Sequence, residues 1–356
     1  LRPLLASGTS VALVGFPNHR NVGDTLIWLG ELAALDRLGV RVAYTCTPTT
    51  FSWRAMRRAI GDGPVLINGG GNLGDLYDGP TSQQAMRLRV LATCRNQPVI
   101  QLPQSIHFAD PANVERTARL VRDHGDVTML CREASSLALA EASLGAARTA
   151  FCPDMALALP SLVRPVEADV DVVWLARRDG ESRHALPAEL VGLGLDDGTP
   201  ATVTTGDGRT VHRTDWLEPL PGEHPWPDGA ERPYHRNVRL VDALGRSPLL
   251  ATYAWPRLAR TFTPLAEAWV ARGARILGRG RVVVTDRLHA HVVALLLGIP
   301  SVVLDNSYGK VHGVLDASTA TSPLTHRATD PDHAWAMARR LLDQASADPS
   351  STSGQG

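Results

Sequence analysis

Several side chains suited to binding an anion follow short apolar runs in this chain. Arg281 to Thr285 is a β-branched run, followed by Asp286, Arg287, Leu288, His289, Ala290 and His291, and then by the apolar stretch Val292 to Leu297. This pattern predicts a buried strand, a sharp turn and a helix over 290–297 with Asp286 as its N-cap. Arg287, His289 and Lys310, the last being the only lysine among 36 basic residues, then fall at the carboxyl end of a strand. Open α/β sheets bind ligands there. Taken alone, Arg287 and His289 have two readings, as contacts for a ligand or as groups that merely satisfy the helix end.

Other strands end in the same way. Gly69, Gly70 and Gly71 follow Val65 to Ile67, and three glycines allow backbone amides to approach an anion closely. The run lacks both GxGxxG spacing and a GK[ST] ending, which argues against NAD and ATP in their usual modes. Asn21 and Asp24 follow the first strand. Asp24 reads either as a helix cap or as a carboxylate that orients, or takes a proton from, an acceptor hydroxyl. Gln104, Ser105, Ile106 and His107 follow Val99 to Leu102, Arg132 follows Val127 to Leu130, and Asp154 follows the strand that ends at Phe151. Chance capping does not predict Arg132, Arg287, His289 and Lys310 together, whereas a cleft between two α/β domains does. Guanidinium groups hold carboxylate or phosphate through paired hydrogen bonds, so the expected ligand is anionic and carries both. His291, two residues beyond His289, points elsewhere on the helix and reads as structural.

The elements that must position these groups alternate. Predicted strands at 11–16, 40–44, 64–67, 99–102, 127–130 and 149–151 are separated by helices at 25–38, 52–60, 82–95, 111–123 and 133–144. Such alternation means a parallel sheet covered on both faces. After the Pro-rich stretch 159–166 a new strand starts at 170–175, which divides the chain into domains at 1–160 and 166–325. Residues 178–235 read as an irregular insertion, a helix at 258–276 restores the alternation, a last helix at 333–343 (within a segment 326–344) is expected to pack back on the first domain, and 345–356 reads as a disordered tail.

The 36 basic and 36 acidic residues balance, so there is no overall field to attract nucleic acid or an anionic membrane. Cys46, Cys94, Cys131 and Cys152 show no zinc-like spacing and read as buried thiols in a reducing cytosol. No apolar run approaches the ~20 residues of a spanning helix, and the N-terminus is too short in its apolar part for a signal peptide. A soluble, cytoplasmic protein is expected, peripheral to the membrane at most through its acceptor.

Together the stretches Asn21 to Asp24, Asn68 to Tyr77, Leu102 to Ile106, Arg132 to Ser135, Pro153-Asp154, Arg287 to His291 and Asp305 to Lys310 resemble the polysaccharide pyruvyl transferase family. Arg177 to Glu181 and Asp215 to Leu217 are similar to its exopolysaccharide branch. The resemblance implies two Rossmann-like domains facing across a cleft, similar to GT-B glycosyltransferases. It also implies transfer of pyruvate from phosphoenolpyruvate to two hydroxyls of a free or lipid-linked saccharide, giving a cyclic ketal and phosphate, with no cofactor and no metal. It places Arg287, Leu288, His289 and Arg132 at the donor. Glu133 stands where the family usually has aspartate. The chemistry then expected makes His289 the general acid and Asp24 or Asp154 the base, with Lys310 and the Gly69–Gly71 amides helping phosphate leave. Asn21, Ser105 and Asp179 complete the expected binding set. A nucleotide-sugar glycosyltransferase and a non-catalytic anion- or glycan-binding protein are the alternatives, and neither would release phosphate from phosphoenolpyruvate.

Overall fold

The computed structural model describes residues 1–17, 19–77, 79–177, 186–195, 200–216, 231–244, 255–305 and 309–347. The chain forms two compact units: Leu1–Arg20, Asp24–Leu159 and Trp226–Trp269 make the first, and Asn21–Gly23, Pro160–Pro225 and Val270–Gly356 the second. Each is built on a sheet that is parallel or nearly so.

In the first unit the strands are β1 (Ser10–Val14), β2 (Arg41–Cys46), β3 (Val65–Ile67), β4 (Gly70–Gly74), β5 (Val99–His107), β6 (Val127–Cys131) and β7 (Arg148–Phe151). Their order is β2-β1-β3-β5-β6-β7 with β4 also on β5, and all pairs are parallel. Val11 to Val14 and Val65 to Ile67 are buried on both faces, which is why they read as continuous apolar runs. Helix α1 (Val22–Arg37) follows β1, and later helices obey familiar end signals: Asp110 caps Pro111–His124, which stops at Gly125 with φ 82. Phe16 stacks on Phe262 at 4.3 Å, and Tyr234 of helix Glu231–Leu244 joins the same cluster. Because β1 lies between β2 and β3, chain direction across the sheet reverses at β1/β3, where a doubly wound sheet opens a crevice at its carboxyl edge.

β5 runs longer than the expected 99–102 and includes Gln104 to His107. Pro103 has no N–H to give the ladder, and the register to β6 slips between Gln101 and Gln104. On its other side β3 stops at Ile67 and β4 resumes at Gly70. Side-chain amides bridge the gap: Gln101 Nε2 donates to the carbonyls of Ile67 and Asn68 at 3.1 Å each, and Gln104 Nε2 donates to that of Asn68 at 3.0 Å. Two buried glutamines thus replace missing backbone hydrogen bonds and hold the Asn68–Gly69 break open.

The second unit has strand order β13 (Thr325–Arg327), β12 (Ser301–Val303), β11 (Gly280–Thr285), β8 (Val170–Leu175), β10 (Thr210–Thr214) and β9 (Ala201–Thr204), parallel except for β9. The chain leaves β8 for β9 and β10 on one side and then crosses to β11 on the other, so the switch point is β8/β11. The hairpin 201–214 corrects the expectation of irregular structure over 178–235, of which 178–185, 196–199 and 217–230 lie outside the described residues. Ala201-Thr202-Val203-Thr204 is a half-exposed edge strand, so its apolar content is too low to read as a strand from sequence. The last helix, Pro331–Ala347, also departs from expectation. It buries Ala334, Trp335, Ala338 and Leu342 against Val172, Trp174, Val282 and Val302 of the second sheet rather than on the first domain. Trp335 Nε1 and Arg339 Nη2 both donate to Glu189, at 2.9 and 2.7 Å. Residues 345–347 are helical, and 348–356 lie outside the described residues. No helix among the described residues is long and apolar enough to cross a membrane.

Candidate functional site

In the second unit the chemistry gathers at the β8/β11 switch point. Thr285 Oγ donates to the carbonyl of Leu175 at 2.7 Å and accepts from the N–H of Arg287 at 3.0 Å, which fixes how the chain leaves β11. Asp286 is not the helix cap. It is buried, and its Oδ1 accepts the N–H of Arg177 at 2.9 Å, tying the ends of β8 and β11 together. Burial raises its carboxyl above the usual range despite that bond. Arg287 occupies the cap position, with φ −101 and ψ 118, and the helix runs Leu288–Leu296.

Asp215, just past β10, grips Arg287 through both carboxylate oxygens, Nε to Oδ1 at 2.6 Å and Nη2 to Oδ2 at 2.8 Å. The two side chains are 7 % and 2 % exposed, so the pair is desolvated and its geometry rigid. Asp215 Oδ1 also accepts the N–H of Trp216 at 2.7 Å, and the Trp216 carbonyl accepts from Arg272 Nη1 at 2.8 Å. Asp215 lies 72 residues from Arg287 in the chain, so sequence spacing gives no sign of this pair.

His289 is the second residue of this helix. Its ring lies on the backbone of Gly23, which clusters with this unit, and a Cβ at Gly23 would stand 2.5 Å from Nδ1. His291 is fully buried between Ser301 Oγ at 2.8 Å and Thr319 Oγ1 at 2.9 Å, in keeping with its structural reading. Burial pushes its imidazole down to about 4. Leu288 packs with Val303, Val311, Val314 and Leu315 in a small core. Lys310 opens helix Lys310–Ser318 after Gly309 at φ 71, and Asp305 accepts the N–H of His312 at 3.2 Å. Asp179, Asn306, Ser307 and Tyr308 lie outside the described residues.

In the first unit Arg132, Ser105 and Asp154, read separately from the sequence, form one buried network at the carboxyl ends of β5, β6 and β7. Arg132 Nη1 donates to Asp154 Oδ2 and Nε donates to Ser105 Oγ at 2.8 Å. Ser105 Oγ donates in turn to Glu133 Oε2 at 2.9 Å, and Ser136 Oγ donates to Glu133 Oε1. Glu133 therefore has the reach to hold two hydroxyls at once. Asp154 also caps the turn Met155–Ala158, accepting from the N–H of Ala156 at 2.9 Å. With one oxygen on Arg132 and the other on a cap, Asp154 is arranged to hold structure.

Asp24 lies in the first turn of α1 rather than at its cap; Asn21 Oδ1 takes the capping role by accepting the N–H of Gly23 at 3.1 Å. His19 Nε2 stands 3.3 Å from Asp24 Oδ2, a pairing the sequence reading passed over. The Gly69 amide is directed inward, donating to Glu31 Oε1 at 2.7 Å, and not toward an anion. Gly70 begins β4 with φ 120, and Gly71 continues it. The four thiols show no reactive setting: burial pushes Cys46 and Cys131 up to about 12 and Cys94 up to about 11, and raises Cys152.

Glu31 is a second residue missed by the sequence reading, since a glutamate in a helix ordinarily signals an exposed face. It is fully buried, among the described residues its Oε2 meets no hydrogen-bond partner, and burial raises its carboxyl well above 4.5 despite the Gly69 bond. A carboxyl with a raised folded-state pKa binds its proton more tightly folded than unfolded, so its stability contribution is full below the unfolded value and is lost as pH rises through the folded one. Glu31→Gln keeps the acceptor for Gly69 and removes the ionisation. Thermal melts should therefore show this variant above wild type at neutral pH, with the gap closing as pH falls toward 4.5. A gap that does not change with pH would rule out buried ionisation as its cause.

Residues 21–197 and 266–308 match the profile of polysaccharide pyruvyl transferases. The Bacillus subtilis protein EpsO, named as a pyruvyl transferase, is 26 % identical over 311 residues, 87 % of this chain and 85 % of its own. Pyruvyl transferase 1 of Schizosaccharomyces pombe is 28 % identical over 314 residues, covering 85 % of this chain and 67 % of its own. A crystal structure of an uncharacterised Klebsiella pneumoniae protein shares the fold, with a TM-score of 0.52 at 16 % identity over 90 % of this chain and 93 % of that one. The matched segments contain the Arg132 network, the Asp24 and Gly69–Gly71 loops and the Arg287–His289 turn, and on that basis the chain belongs to the polysaccharide pyruvyl transferase family.

Proposed function

We propose that this protein transfers pyruvate from phosphoenolpyruvate to two hydroxyls of a saccharide in a polysaccharide or its precursor, forming a cyclic ketal and releasing phosphate. The observation that carries the reading is the Arg287–His289 turn, where a guanidinium held rigid by Asp215 precedes an imidazole by two residues at a sheet switch point. Phosphoenolpyruvate carries a carboxylate and a phosphate, and a desolvated, pre-oriented arginine is the group that recognises either. Family membership and the relatives' names support the same transfer.

In this mechanism His289 gives a proton to the methylene carbon of the donor, and positive charge develops at the carbon bearing the phosphate. One sugar hydroxyl adds there and loses its proton, with Asp24 as the base. The carbon–oxygen bond to phosphate then breaks with its electron pair leaving on phosphate, and the second hydroxyl adds and passes its proton to the now neutral His289 to close the ketal. Arg287 and Lys310 stabilise the charge that accumulates on the departing phosphate. The reaction runs in the cytoplasm, with membrane contact only through a lipid-linked acceptor.

The test is to incubate the purified protein with phosphoenolpyruvate and a panel of free and lipid-linked saccharides. Phosphate release that requires both substrates, with a ketal methyl signal in the product NMR spectrum, is expected. Consumption of a nucleotide sugar without any need for phosphoenolpyruvate would overturn the reading.

A further inference from the structure

The β3–β4 break contains a clamp that the mechanism above does not use. Arg87, on helix Gln83–Thr93, is fully buried, and among the described residues every oxygen it meets is neutral. Nε donates to Gln101 Oε1 at 2.7 Å, Nη1 to Gln84 Oε1 at 2.5 Å and to the Asn72 carbonyl at 3.4 Å, and Nη2 to Asn72 Oδ1 at 3.0 Å. Burial alone pushes its guanidinium down to about 9. A buried cation without a counter-ion is costly, and what this one secures is the orientation of Asn72. Arginine can only donate, so the Asn72 atom facing it must be the oxygen. Gln104 agrees: its Nε2 donates to the same Oδ1 at 3.1 Å, while its Oε1 accepts the Asn72 N–H at 3.2 Å.

With Oδ1 held inward by two donors, Nδ2 is turned outward, and among the described residues it makes no hydrogen bond. It borders the same space as Asp24. A Cβ on Gly70 would lie 3.3 Å from Ile27 Cδ1, 3.5 Å from Asp24 Oδ1 and 3.9 Å from Asn72 Nδ2, so the absent side chain leaves a donor and an acceptor around one point beside an apolar wall. An anion is a poor occupant beside the Asp24 carboxylate. A hydroxyl, which accepts and donates at once, matches both groups.

We propose that Asn72 and Asp24 flank the subsite for one of the two acceptor hydroxyls, with Asn72 Nδ2 donating to the hydroxyl oxygen and Asp24 accepting its proton. This rests on the pyruvyl transfer reading. Arg87 is the positioning residue: it fixes the amide and, by polarising it, strengthens Nδ2–H as a donor.

Asn72→Asp is the discriminating variant. It keeps an oxygen for Arg87 and Gln104, supplies Arg87 with a counter-charge and replaces the outward donor by an acceptor, so it should melt at or above the wild-type temperature. Steady-state kinetics with an accepted saccharide should show the acceptor KM raised by about tenfold or more, with the phosphoenolpyruvate KM little changed. Asn72→Ala should raise the same KM without adding a charge. An acceptor KM within twofold of wild type in both variants, from a wild-type enzyme that makes ketal, would overturn the subsite alone. A wild type that makes no ketal with any acceptor overturns the function reading, and the subsite with it.

Discussion

His289→Ala is expected to lower pyruvyl transfer by about a thousandfold or more while leaving the fold intact. The asymmetry follows from where the ring sits. His289 is only half-buried in the first turn of helix Leu288–Leu296, and it lies outside the core formed by Leu288, Val303 and Val311, so its deletion opens no large cavity there. His291 is the control. It is fully buried and engages hydroxyls on both ring nitrogens, so His291→Ala should unfold more easily and lose activity only to the extent that it unfolds. Gly23→Ala probes the same ring from outside. A methyl there meets Nδ1 at 2.5 Å, so it should displace the imidazole and lower kcat without a comparable loss of melting temperature. Phosphate release and circular dichroism on the three variants decide the matter. Near wild-type turnover by His289→Ala would end its role as the acid.

The alternation of strands and helices was legible because parallel strands buried on both faces are short uninterrupted apolar runs, as at Val11 to Val14 and Val282 to Val284. The positions of Arg132, Arg287 and His289 after such runs were legible for the same reason. What the sequence hid were elements and pairs without local periodicity. The 201–214 hairpin is rich in threonine with an exposed edge, and helix Glu231–Leu244 carries Pro233 and few apolar residues. β5 looked finished at Leu102 because Pro103 and a polar stretch follow, yet Gln101 and Gln104 supply by side chain what the backbone lacks. Long-range partners were hidden altogether. Asp215 gives Arg287 its geometry, Arg87 gives Asn72 its orientation, and Glu31 takes the Gly69 amide, each from a separate element. The glycine run illustrates the difference: its composition suggested an anion loop, but the first of its amides is spent on a buried acid, and the second glycine makes room between Asp24 and Asn72.

Asp154→Ala should be the most damaging single change to stability, at about 3–5 kcal/mol, a fall in melting temperature on the order of 10 °C for the first unit. Asp154 and Arg132 are 1 % and 2 % exposed and bonded to each other, and removing one leaves the other charge buried. Glu133, at 3.9 Å from Arg132 Nε and already shared between Ser105 and Ser136, cannot replace the lost contact without giving up hydroxyls. Removing both charges is a different case. Replacing Arg132 by methionine and Asp154 by leucine exchanges a desolvated pair for apolar volume, and it should recover much of the loss seen in the single variant. That recovered protein then separates the two duties of Arg132. If the guanidinium serves only to brace β5, β6 and β7, the double variant transfers pyruvate at close to the wild-type rate. If it also binds the donor, the variant keeps that recovered stability while its phosphoenolpyruvate KM rises by about tenfold or more, since a charge-assisted contact to an anion has been removed. The second outcome is expected, because a guanidinium fixed this firmly by Asp154 and Ser105 at the carboxyl edge of a parallel sheet is already oriented before any ligand arrives.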